Sequence, residues 1–216
     1  MDNSRAALKR LANVRHMRFD DLFDDLEGQL EQELHAEEAD LRIEEERLRL
    51  GRLGLRDRMM ALARERSTGA VTALRLELVG GTVVVVRPTT FGKDWLAGDL
   101  IDGSPWHPQG IVPIAAVAAL VLDRAQVDPS LEPSAQTQDR LIDRIGLPFV
   151  LRDLGRRRSS VELVTATGSL HGTIDRVGRD HLDLAVHEAG TPRRDRAVRQ
   201  YKVVPFAHVR LVRLVG

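Results

Sequence analysis

An internal repeat limits the folds open to this chain more than any other feature of its sequence. Three motifs in residues 54–123 recur in the same order in residues 144–216, at offsets of 92, 86 and 92 positions. The first motif, at 54–55 and 61–67, matches 146–147 and 153–159. The second, at 92–96, matches 178–182, and the third, at 112–117, matches 204–209. Three ordered matches are hard to obtain by chance, so we infer two copies of one structural unit, joined by a linker at 124–143.

Each copy predicts the same secondary structure. A short helix comes first, over residues 55–66 and 147–158, and short strands separated by turn signals such as Gly80-Gly81 and Thr167-Gly168 follow. Five short strands in about 60 residues are typical of a small closed barrel, which has no exposed edges. We therefore expect a fold that is mainly β with helices: a long acidic N-terminal α-helix, then two tandem five-stranded small barrels at 54–123 and 144–216, each preceded by a short helix.

The spacing of apolar and glycine residues in the second copy carries a family resemblance. The residues concerned are Val161, Leu163, Gly168, Gly172, Ile174, Leu182 and Leu184. Their spacing, together with the order of one helix and then five strands, resembles the Sm/Sm-like family of RNA-associated small barrels. The resemblance covers about two thirds of the chain if the first copy is included. It implies an Sm-like or SH3-like barrel for each copy.

The residues with which the Sm family grips RNA do not carry over to this chain. The family has an Asp and an Asn in the turn between the second and third strands, where Gly178 and Leu182 lie nearest here, in a turn one residue shorter. Pro205-Phe206 stands where the family has Arg-Gly. The layout is also similar to a group of actinobacterial proteins that often carry the label "Fis family transcriptional regulator", although the sequence contains no helix-turn-helix pattern.

An acidic segment precedes the repeat. Residues 19–46 carry thirteen acidic side chains and one arginine, a net charge of −12, whereas residues 47–216 carry a net +8. Apolar residues recur at three- and four-residue spacing, which predicts an amphipathic helix over 19–50, after an extension at 1–18 that we expect to be flexible. This helix could pack on a barrel with its acids in solvent, or it could bind a second copy or another partner protein. The apolar stripe consists of Phe19, Leu22, Phe23, Leu26, Leu30 and Leu34.

Several classes of chemistry are excluded or disfavoured. The chain has no cysteine, which excludes disulfides, thiolate metal ligands and a cysteine nucleophile. It has no GxSxG, Walker or GxGxxG motif, and its seven histidines lack the spacing of a compact metal site. We therefore expect no enzymatic activity, catalytic residue, metal or cofactor. The longest apolar run, 111–122, is interrupted by Pro113 and is shorter than the ~20 residues of a membrane span, so we expect a cytoplasmic protein without a membrane partner.

Arginines give the main indication of function. The second copy carries fourteen basic and seven acidic residues, whereas the first carries seven of each. The predicted nucleic-acid-binding residues are Arg156, Arg157, Arg158, Arg193, Arg194, Arg196 and Arg199. We expect them to bind the phosphates of a nucleic acid or nucleoprotein with little sequence preference. The acidic segment could also neutralise them.

A second hypothesis remains open on the sequence alone. The protein could be a protein–protein scaffold or an oligomerisation module that uses its N-terminal helix and barrel edges. Trp106, in a proline-rich loop of the first copy, is a candidate interface anchor, although it could equally pack on its own domain.

Overall fold

The computed structural model describes residues 19–64, 72–103, 107–133, 140–191 and 193–215. The chain divides after Arg52 into two compact units, and the second unit contains both copies of the repeat. The predicted extension at 1–18 and the candidate anchor Trp106 lie outside the described residues. No helix in the described part of the chain is long and apolar enough to cross a membrane.

The first unit contains helix α1, Phe19–Arg52, which confirms the predicted N-terminal helix. Ion pairs between residues three and four positions apart support it, including Arg42 with Glu38 at 3.0 Å. Leu26, Leu30 and Leu34 of the predicted stripe are exposed. The side chains of the other three stripe residues, at 19, 22 and 23, fall outside the description.

Each copy of the repeat forms one helix followed by five strands. The first copy contains α2 (Leu55–Ala63), β1 (Leu74–Leu78), β2 (Val83–Phe91), β3 (Trp95–Leu100), β4 (Gln109–Pro113) and β5 (Val117–Val121). The second contains α4 (Leu147–Arg156), β6 (Ser160–Thr165), β7 (Gly168–Val177), β8 (His181–Val186), β9 (Gln200–Pro205) and β10 (Val209–Leu214). The segment 124–143, predicted as a linker, contains helix α3 (Arg124–Ser130).

Local sequence features account for the strands and turns, and some of these features occur at equivalent positions in the two copies. Every second side chain of β1 is buried, as expected for a strand with one face on a core. Gly80 and Gly81 turn the chain between β1 and β2 with φ angles of 102° and 84°, a backbone conformation that residues other than glycine rarely adopt. A 3-10 turn follows the last proline of β4 and of β9, and the β2–β3 and β7–β8 pairings each contain one bulge at an equivalent position.

The strands form one antiparallel sheet in the order β5-β1-β2-β3-β4-β10-β6-β7-β8-β9. The two copies join where β4 pairs with β10, with Ile111 opposite Val212 and Gly110 opposite Arg213. The expected closure of each copy into its own barrel is not confirmed, because the sheet runs through both copies and ends at β5 and β9. The sequence does not distinguish the two arrangements, since an apolar edge strand suits either partner.

The two copies share their cores. Trp95 and Ile111 belong to the first copy, but they lie in the apolar cluster built around Leu151, Leu163 and Leu184 of the second. In return, the second copy contributes Leu211 to the cluster of the first copy, which also contains Met59, Leu62, Leu74, Leu76, Leu78 and Val86. The repeat therefore folds as one packed unit.

Candidate nucleic-acid interface

The first group of predicted arginines lies at the C-terminal end of α4. The helix ends at Arg156, and the chain then turns at Arg158, which has a φ of 56°. Asp153 accepts hydrogen bonds from Arg156 and, at 2.6 Å, from Arg157. These bonds, that of Arg156 first, hold the pKa of Asp153 below its usual range. Both arginines remain largely exposed, so Asp153 orients them without removing them from solvent.

The second group lies on the loop between β8 and β9. Arg193 donates two hydrogen bonds of 2.7 Å from Nε and Nη2 to the two carboxylate oxygens of Asp175 on β7. Its side chain is only 21% exposed, and the bond to Asp175 raises its pKa above the usual range. Arg193 therefore anchors the loop to the sheet.

Asp175 brings the two groups of arginines together. Arg158 Nη1 lies 3.5 Å from the same carboxylate that Arg193 binds, although the two arginines are 35 positions apart in the chain. Asp175 lies where the pairing of β7 with β8 shifts its register between Ile174 and Arg176. One bulged strand thus connects the end of α4 to the arginine loop.

The remaining loop arginines differ in their contacts. Arg194 directly precedes the 3-10 turn Asp195–Ala197, and Arg196 lies within it. Both are exposed, and neither makes an ion pair within the described residues. Arg199 is paired with Glu188. Arg194 and Arg196 are therefore the two loop arginines best able to contact an external anion.

The structure adds two arginines that the sequence analysis missed. A cavity of about 300 Å³ between α4 and β7 is lined by Arg152, Arg156, Arg158 and Arg176. Arg152 donates to the carbonyl of Gly178 at 3.3 Å. Helical spacing could have identified Arg152, which lies four residues before Arg156, but Arg176 required knowledge of the strand pairing.

The charges of this surface do not cancel. Five of the seven predicted arginines contact four carboxylates, so the seven arginines and their partners carry a net charge of +3. These carboxylates belong to Asp153, Asp175, Glu188 and Asp195. Arg152 adds a further positive charge, and Arg176 lies 3.8 Å from Asp183. We call the seven predicted arginines together with Arg152 and Arg176 the arginine surface.

Within the described part of the chain, the histidines do not assemble a metal-binding cluster. His187 is buried, and its two ring nitrogens lie 2.9 Å from Thr173 Oγ1 and 3.0 Å from the Glu188 carbonyl, so its polar atoms are satisfied inside the fold. Across the described ranges, no group of three or more His, Cys, Asp or Glu side chains could hold a metal ion.

Comparison of the chain with protein-family models, with curated proteins and with solved structures finds no match.

Proposed function

We propose that this protein is a non-enzymatic cytoplasmic regulator that binds nucleic acid through the arginine surface. The observation that carries the proposal is the shared contact of Arg158 and Arg193 with Asp175, which joins two separate arginine groups. Arginine is well suited to phosphate because its planar guanidinium can donate two parallel hydrogen bonds. An extended surface with a net positive charge suits a phosphate backbone better than a single small anion.

The chemistry of this surface favours phosphate contacts over base readout. Tyr201 on β9 is an exposed aromatic side chain that interacts electrostatically with Arg193, but stacking of successive unpaired bases needs a series of such rings. We also propose that each copy is an Sm-like unit, because each contributes one helix followed by five strands. Gly178 and Leu182 stand nearest the positions of the Asp and Asn with which that family contacts bases, so binding here would depend on backbone phosphates and vary little with sequence.

The test is binding of fluorescent duplex DNA and of single-stranded RNA, measured by anisotropy over a range of salt concentrations. The full chain is compared with the double variant Arg194→Ala/Arg196→Ala. Each phosphate contact contributes about 0.9 to the slope of log K against log salt on duplex DNA, so this variant should lower the slope by about 2. Because neither arginine is ion-paired within the described residues, the double variant should have the same thermal stability as the unmodified chain.

The matched control is Arg75→Ala/Arg87→Ala, which removes two exposed arginines from β1 and β2 of the first copy. This control should bind like the unmodified chain. The proposal fails if the full chain does not bind either nucleic acid at low salt. It also fails if the control variant loses as much affinity as the loop variant, because binding would then follow total charge and not this surface.

A further inference from the structure

The cavity between α4 and β7 collects arginines from both elements. Arg152 and Arg156 lie one turn apart on α4, and Arg158 follows the end of that helix. Arg176 lies on β7, just after the bulge that separates it from Ile174. Four arginines, contributed by a helix and its end on one side and by a strand on the other, therefore line one concavity of about 300 Å³.

The two walls of this cavity are in close contact. Gly155 on α4 and Ile174 on β7 both line it. A Cβ added to Gly155 would lie 3.0 Å from the carbonyl oxygen of Ile174, so the helix packs directly on the strand at this point. The spacing between the arginines of the two walls is therefore fixed at their backbones.

The cavity carries more positive charge than its own carboxylate neutralises. Among the described residues that line it, Asp175 is the only acidic one, and Arg193 already binds both of its oxygens. Arg152 donates to a backbone carbonyl and makes no ion pair within the described residues. Arg176 lies 3.8 Å from Asp183, and its side chain is 85% exposed. An anion in the cavity would therefore meet guanidinium groups of both walls.

The first copy has a cavity at the equivalent place, with other residues at two of these positions. That cavity lies between α2 and β2 and has a volume of about 580 Å³. Met60 stands at the position of Arg152, and Thr90 stands at the position of Arg176. Since both copies form the same helix and strands, the fold does not require arginine at 152 and 176.

Size and charge together indicate which kind of phosphate suits the second cavity. A phosphodiester inside a strand carries one negative charge and is tied to the chain on both sides. A terminal phosphate monoester carries a charge of about −1.5 to −2 near pH 7 and presents three strong acceptor oxygens. Because a strand end can enter a small concavity, four arginines around one cavity suit a monoester better than a diester.

We propose that this cavity binds the terminal phosphate monoester of a nucleic-acid strand. Arg152 and Arg176 bind the terminal phosphate from the two walls, and the loop arginines Arg194 and Arg196 contact internal phosphates of the same strand. The inference rests on the proposed function, because it assigns the strand end to one part of the arginine surface.

The test compares three single-stranded RNAs of one sequence, each with an internal fluorophore. One carries a 5′-phosphate, one carries a 3′-phosphate, and one has hydroxyl groups at both ends. At least one phosphorylated strand should bind the full chain about tenfold more tightly than the hydroxyl strand, because its additional charge gains hydrogen bonds from arginine. The end that confers the preference is the end that enters the cavity.

Two results would overturn the inference and are distinguishable from each other. Equal binding of all three strands shows that the terminal phosphate is not recognised, and the proposed function then still stands. If none of the strands binds, the inference also fails, and the duplex DNA measurement then decides whether the proposed function survives.

The variant Arg152→Met/Arg176→Thr carries the residues that the first copy has at the equivalent positions, so it should fold. It should lose most of the preference for a phosphorylated end and still bind the hydroxyl strand. The charge-matched control is Arg194→Ala/Arg196→Ala, which should weaken the binding of all three strands alike and keep the preference. A preference that persists in the first variant, or that disappears in the control, refutes the assignment.

A free mononucleotide separates a strand end from a small ligand. Adenosine monophosphate, with its phosphate at the preferred position, carries the same monoester but makes no contact with the loop arginines. It should displace the phosphorylated strand only at concentrations far above the Kd of that strand, because the strand is held at several points. Displacement at concentrations near that Kd would assign the cavity to a free nucleotide and overturn the assignment to a strand end.

Discussion

Trp95 provides the sharpest test of the shared core. It begins β3 in the first copy, is 4% exposed, and packs in the core cluster of the second copy. Its indole Nε1 donates a 2.9 Å hydrogen bond to the carbonyl of Ile145, just before α4. Its ring covers Gly92, where an added Cβ would lie 2.2 Å from the indole. Trp95 therefore connects the two copies by packing and by a hydrogen bond.

Replacing Trp95 by alanine should destabilise the repeat by about 3–5 kcal/mol, the usual cost of removing a buried tryptophan. For a unit of this size, that loss corresponds to a fall in melting temperature of roughly 6–20 °C. Trp95→Phe keeps an aromatic ring but removes one of two donors to the Ile145 carbonyl, which still accepts a 2.9 Å hydrogen bond from the Lys93 backbone N–H. The lost bond should therefore cost about 0.5–1.5 kcal/mol. Phe149→Ala is the control, because Phe149 is exposed on α4 and its loss should change stability by less than about 0.5 kcal/mol.

The assay is guanidinium unfolding followed both by far-UV circular dichroism and by near-UV circular dichroism. The near-UV signal reports tertiary packing, and the shared core predicts one transition for both copies. The reasoning is refuted if Trp95→Ala costs less than about 1 kcal/mol. It is also refuted if the near-UV signal of the unmodified protein shows two separated transitions, because two copies with separate cores would unfold independently.

Two further predictions concern single residues. Gly172→Ala should destabilise the sheet strongly, because its Cβ would lie 2.3 Å from a backbone carbonyl of β8, whereas Gly28→Ala on α1 has open space and should not; thermal melts compare them. Asp153→Asn should flatten the acid limb of stability against pH. The folded-state pKa of Asp153 is depressed, by its bond to Arg156 first and by Arg157 as well, so its contribution is present above the unfolded pKa and is lost as pH falls through the folded value. Unfolding midpoints across the acidic range measure this loss, and an unchanged acid limb in the variant would contradict it.

The sequence was sufficient to predict the helices and strands, but not which strands pair with each other. Turn residues such as Gly80-Gly81 and Thr167-Gly168 marked the strand boundaries, and the repeat predicted that both copies contain the same set of elements. The partner of β4 could not be read in this way. Ile111 is apolar and would be buried equally well by the last strand of its own copy or by β10, so only the strand register identifies Val212 as its partner.

The sequence predicted the residues of the candidate site but not the role of each one. All seven arginines were identified by charge alone, yet charge does not reveal that Arg193 is an anchor while Arg194 and Arg196 are exposed. That distinction depends on Asp175, which lies on a different strand and reaches the loop only in the folded chain. Long-range contacts between charged side chains leave no periodic signal in a sequence, whereas helices and strands do.

The first copy serves as an internal control for whether the fold requires the arginines of the second copy. It forms the same helix and five strands, but the corresponding loop, residues 101–108, contains no arginine. At the cavity, Met60 and Thr90 stand where the second copy has Arg152 and Arg176. The residues that the fold requires match between the copies, including the glycine before β3 and before β8, whose added Cβ would meet a ring in each case. Since the first copy forms the same elements without any loop arginine, the fold does not require Arg194 and Arg196, which make no ion pair within the described residues.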